Sequence, residues 1–339
     1  MVSFPRVIPE SWHTLSQTIQ DAQEIGLHKG SRDCLGQGIE TTIGLDRLWV
    51  EQLQRRMWGI LALWDIRMAI ILGRPSTIDN TDKGAILPID APIPKNRRAI
   101  APSPRTEDEP PTPLTALLWS IQLSAPLWDI YQPEKEGSSP LHISKVKKLP
   151  EDIIQVTHHC PPCLRAENPD TRFDSHPECY WLRYLRPNIQ NETAFSLMAL
   201  HRPYMFINTS SRTAALAAGL DILQARRAFF DLIDVKDYKM SSLVIRTFDV
   251  IVVVAAIYIL HPHEHRSQLH ATLHHFEWAM ERFQLLSRRN SMAKVGLGVL
   301  KGIYVRLKKA LNSENVLRRP PPSTQLPQLP TYPIHSDAS

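Results

Sequence analysis

Cysteine is scarce in this chain, and so is any long apolar run. Four cysteines, Cys34, Cys160, Cys163 and Cys179, occur in 339 residues. With no apolar stretch of signal-peptide length at the N-terminus, they speak against a disulfide-built secreted scaffold and for a reduced, intracellular protein. The most apolar segment, residues 250–260, is 11 residues long, too short for a bilayer span, so no membrane role is expected. Nucleophile elbow, phosphate-binding glycine loop and dinucleotide fingerprint are all missing. Nucleophilic catalysis therefore has no support, and the chain is not expected to be an enzyme. The net charge of +5 permits acidic partners without demanding nucleic acid.

Helical periodicity is what the chain does have. From 48 to 72, Trp49, Leu53, Met57, Ile60, Leu61, Trp64, Met68, Ile71 and Leu72 recur at steps of three, four or one. They predict a core helix with one broad apolar stripe, and Glu51, Gln54, Arg55 and Arg56 on the opposite, wet side of its first half. Gly73 and Pro75 end it. Asp65 and Arg67 fall among apolar neighbours and need partners, for which Arg74 is the candidate beside Asp65. Further helices are expected over 14–25, 114–131, 149–156, 178–205 (divided at Pro187), from Ser211 onward, 243–260, 269–286 and 292–311. The β-branched segment 243–260 would also suit a buried strand, and its length decides for helix. Seven prolines between 92 and 113 predict a mobile linker. Its Lys95-Asn96-Arg97-Arg98 cluster is either a solvated loop or a nuclear-import address. Residues 157–177 read as a polar insertion loop.

Two clusters invite a metal reading. Cys160 and Cys163 form a Cys-x-x-Cys pair, and His176 with Cys179 could complete a zinc tetrahedron. The preferred reading is a loop with incidental thiols, so no cofactor is expected and zinc stands as the alternative. Six of the 14 histidines lie between 261 and 275. His270 and His274 share a helix face, yet a polar helix start facing water accounts for them.

A basic pair, aromatic and aliphatic residues at helical spacing, Asp65, then Leu72-Gly73-Arg74-Pro75, Ile78-Asp79 and Leu87-Pro88 together resemble the middle homology region of fungal zinc-cluster transcription factors. Upstream, Trp12-His13-Thr14-Leu15 through Ala22-Gln23-Glu24 to Gly26-Leu27-His28 is similar to that family's preceding helix. Downstream, Leu200-His201-Arg202-Pro203-Tyr204, Ser211 and Ala214-Ala215 resemble its second landmark. Ile66 separates Asp65 from Arg67, where the family has Asp directly followed by Arg. The resemblance covers roughly residues 12–311.

It implies an all-α, multi-helix regulatory domain over 1–318, interrupted by the linker at 92–113 and the loop at 157–177, with a disordered tail at 319–339. It also implies a nuclear transcriptional regulator of a fungal metabolic gene cluster, with secondary metabolism the expectation. The family's DNA reader is a six-cysteine zinc cluster, which four cysteines cannot build, so DNA contact is expected only indirectly or weakly. Expected partners are the transcription machinery or other regulators and a small-molecule effector, and a homodimer is compatible. The alternative is a small-molecule- or partner-binding helical module with no direct DNA contact. In either case the ligand is expected in an apolar pocket between helices 48–72 and 178–204, rimmed by Trp64, Asp65, Arg67, His201 and Arg202.

Overall fold

The periodicity emerges as nine α-helices with no strand among the residues that the computed structural model describes, 7–29, 41–78, 87–131 and 143–317. The tail at 319–339 and Cys34 lie outside them. In chain order the helices are α1 (Val7–Glu24), α2 (Thr42–Leu72), α3 (Pro113–Tyr131), α4 (Ile143–His158), α5 (Leu182–His201), α6 (Thr209–Phe230), α7 (Ser241–Leu260), α8 (Leu269–Leu286) and α9 (Ser291–Leu317). The all-α expectation holds.

Helix ends follow local chemistry. The Thr41 hydroxyl accepts the Gly44 N–H at 3.0 Å, which starts α2 earlier than periodicity implied. Gly73, at φ 62°, closes it in a left-handed conformation that costs glycine little. The Asn208 side chain caps α6 through the Ser211 N–H, so the helix begins two residues before Ser211, where it was expected to start. Pro187 does not divide α5, which runs unbroken from Leu182; at the sixth position of the helix it removes the single bond its missing N–H would make to the Arg183 carbonyl.

α7 is the axis of the main core. α6, α8 and α9 pack around it, and α5 lies along α6. A Cβ at Gly219 would come within 2.8 Å of Val254, and one at Gly296 within 2.8 Å of Phe283, so these two glycines set how closely α6 approaches α7 and α9 approaches α8. The helix of α7, with a mean hydropathy of 2.4 over its apolar window, is long and apolar enough to cross a membrane, but 61% of that window is buried inside the fold. It is the core helix of this bundle. A smaller cluster of Ile19, Ala22, Leu27, Trp58, Ala62 and Ile78 joins α1 to α2.

Three expectations differ from the fold: the linker at 92–113, the apolar stripe of α2 and the loop at 157–177. Residues 92–113 are not a free linker: they lie across the first half of α2. Trp49 Nε1 donates to Ile100 O at 2.7 Å, Arg56 to Ala91 O at 2.6 Å, and Gln52 Oε1 accepts from Ile89 N at 2.7 Å. Asp90 takes the hydroxyls of Thr112 and Thr115. An extended, proline-rich backbone leaves its carbonyls without sheet or helix partners. Trp49 and Arg56 of α2 supply them, Gln52 takes an N–H of the same segment, and Glu51, expected on the wet face, is buried and paired with Arg55. The stripe is corrected in turn, since Met57, Ile60 and Trp64 point outward. α2 is apolar around much of its circumference. The arc that packs is the one with small residues, where Gly59 brings α2 against Ile121 of α3.

Residues 157–177 are likewise woven into the core. Cys163 and Leu164 are buried, and Arg186 donates to Cys163 O at 3.0 Å, to Asp170 O at 3.0 Å and to both Asp174 oxygens.

Candidate functional site

A core of aliphatic side chains tolerates charge only where each ion finds a counter-charge or hydrogen bonds. Two layers of charge cross this core where α2, α5, α6 and α7 converge. In the first, Arg202 at the end of α5 donates to Asp249 of α7 at 2.9 Å and to Ile70 O of α2 at 3.3 Å. Tyr131 flanks it. Its hydroxyl donates to Ala199 O at 3.0 Å, and its carbonyl accepts from Ser76 N at 2.9 Å. Burial raises the Asp249 carboxyl above its ordinary value, with Arg202 pulling against it. Burial likewise pushes the Tyr131 phenol up.

The second layer is displaced by three residues along both α2 and α7. Arg67 donates to Glu192 at 2.7 Å, and Arg246 pairs with the other Glu192 oxygen. Burial would raise the glutamate, but Arg246, Arg67 and Arg226 together hold it below the usual carboxylate range. Arg226 of α6 is the third cation. It is 5% exposed, donates to Ser242 O at 3.2 Å and lies over the Phe229 ring, and its Nε has no partner. Burial, with Arg246 adding to it, pushes the Arg226 guanidinium down to about 10. Three arginines thus share one glutamate.

The five expected site residues have different surroundings. Arg67 and Arg202 enter the two layers. Asp65, 1% exposed, instead accepts the Ile78 N–H at 2.8 Å and fastens the turn after α2. Its carboxyl is raised by burial while Thr77 and Ile78 bonds oppose the rise. Arg74, the expected partner of Asp65, lies over the Trp12 ring at 4.7 Å. His201 is half-buried with its Nδ1 unpartnered, and burial lowers its pKa. Trp64 is 56% exposed and outside the seam.

Among the described residues no group of three or more His, Cys, Asp or Glu is placed to hold a metal. Cys160, Cys163 and Cys179 are buried free thiols, all shifted upward by burial, Cys160 to about 11. Such thiols are poor sources of thiolate. Cys179 Sγ donates to Pro111 O, and His176 Nδ1 accepts the Glu178 N–H. In the histidine-rich segment Glu264 is taken by Arg212 at 2.8 Å.

Glu192, Arg226, Arg246 and Asp249 were not singled out as site residues from sequence. Arg246 and Asp249 did leave a signal, as the two charges in the otherwise uncharged α7. No protein-family model, curated protein or solved structure matches this chain.

Proposed function

We propose that this chain is the helical regulatory domain of a fungal transcriptional regulator, acting in the nucleus on a metabolic gene cluster and reaching DNA indirectly through partners. What supports the reading is that the three stretches carrying the family resemblance pack on one another. Trp12 of α1 stacks under Arg74, and Ser16 bonds Thr77 at 3.1 Å. Arg202 reaches back to the Ile70 carbonyl one residue before the Ile71-Leu72-Gly73 stop. Residues 61, 62 and 132 positions apart in sequence thus form one joint. The Arg97 and Arg98 cations of the import-like cluster both face Asp46.

The test is a reporter assay with the full chain fused to a heterologous DNA reader. A change in transcription from the tethered promoter is expected. A silent fusion of correctly folded protein overturns the proposal. The chain alone is expected to bind duplex DNA weakly and without sequence preference, as a gel shift would show.

The second reading, a ligand-binding helical module without DNA contact, draws on the excess of buried cations around Glu192.

A further inference from the structure

Buried arginines are stable when counter-charges match them. Around Glu192 the count is three cations to one anion, and the anion is already engaged on both oxygens by Arg67 and Arg246. The third guanidinium, Arg226, feels both Glu192 and Arg246 and has an unpartnered Nε. A second orphan lies in the turn of α5 that carries Glu192. Asn191, 1% exposed, has neither its amide nitrogen nor its amide oxygen bonded. It lies one helical turn before Phe195, the ring over which Arg246 sits, and so shares that face of α5. A buried amide without a protein partner, in the turn that carries Glu192, has donor capacity to offer a charged acceptor. The layer is also reachable, because the side chains of Arg67, Arg246 and Glu192 keep 21%, 17% and 13% of their exposure.

We propose that the junction of α2, α5, α6 and α7 is an oxyanion-binding site, taking the carboxylate or phosphate group of a small molecule between Arg226, Arg67 and Arg246, with Asn191 as an additional donor. Guanidinium favours such planar, two-point contacts. Naming that ligand an effector rests on the regulatory reading, whereas the binding itself does not.

The test is thermal unfolding of the purified full chain titrated with inorganic phosphate or acetate, against chloride at matched ionic strength. Saturable stabilisation by at least one oxyanion is expected for wild type, with chloride failing to reproduce it. Arg226→Met, which keeps the aliphatic stem, loses the saturation, and Arg67→Gln weakens half-saturation at least tenfold. Arg288→Gln, at an exposed arginine, leaves it unchanged. If phosphate wins, the ligand is a phosphate ester, and if acetate wins, a carboxylic acid. Should Arg226→Met fail to fold, Arg67→Gln decides. No saturable shift in wild type, or the same shift in wild type and Arg67→Gln, overturns the site. A positive titration with a silent reporter would leave binding intact and remove the regulatory reading.

Discussion

Arg202 and Asp249 form a layer in which one cation meets one anion, whereas three residues away along α2 and α7 three arginines share Glu192. The two layers lie in the same apolar surroundings and both tie α2, α5 and α7 together, so burial alone does not set them apart. The balanced layer is closed: Arg202 also takes a backbone carbonyl, and Tyr131 bonds the end of α5. The unbalanced layer ends in an unpartnered nitrogen and an unbonded amide. The lesson is that a matched buried pair can serve as a fastener alone, while a mismatched one keeps capacity for a ligand.

The sharpest way to break this contrast is to remove the shared anion. Glu192→Gln leaves Arg67, Arg226 and Arg246 without a counter-charge, and is expected to destabilise by about 3–5 kcal/mol in urea unfolding. Asp249→Asn removes a charge that burial disfavours and keeps an oxygen acceptor for Arg202, which also holds the Ile70 carbonyl, so a much smaller loss, about 1 kcal/mol, is expected in the same assay. If the two losses were reversed in order, the layers would not differ as their charge counts say. An uncharged site sets the scale: Gly296→Ala, which drives a methyl against Phe283, should cost about 1–3 kcal/mol through overpacking.

The layers should also part company with pH. Glu192 is held below its ordinary 4.5, so its contribution to stability is present above that pH and is lost as pH falls through its folded value. Asp249 is raised above 3.8, so its ionisation opposes folding, and stability falls as pH rises from 3.8 through its folded value. Unfolding followed from pH 3 to 6 is therefore expected to show a flatter acid loss in Glu192→Gln and a steeper one in Asp249→Asn than in wild type.

Much of the fold was legible as period and punctuation. α8 was placed to the residue, α7 was separated from a strand by length, and Gly73 announced its left-handed stop. What periodicity could not choose was the buried arc of α2, because apolar residues occupy more of its surface than one neighbour can cover. The contact went to Gly59 and Ala62, leaving Trp64 outside. Prolines between 92 and 113 did mark an absence of helix, but not the carbonyls that α2 would collect. The site was half visible. Arg67 and Arg202 stood out beside apolar neighbours and a recognisable motif. Glu192 and Arg226 sit in ordinary helical sequence, and their meaning arises only when partners from distant helices meet them.

Diffraction from crystals soaked in selenate, an anomalously scattering phosphate mimic, tests the charge mismatch most directly. An anomalous peak within hydrogen-bonding distance of Arg226 and of Arg67 or Arg246, absent from Arg226→Met crystals, is the expected result. Peaks confined to exposed lysines and arginines, with none beside Glu192, would contradict it.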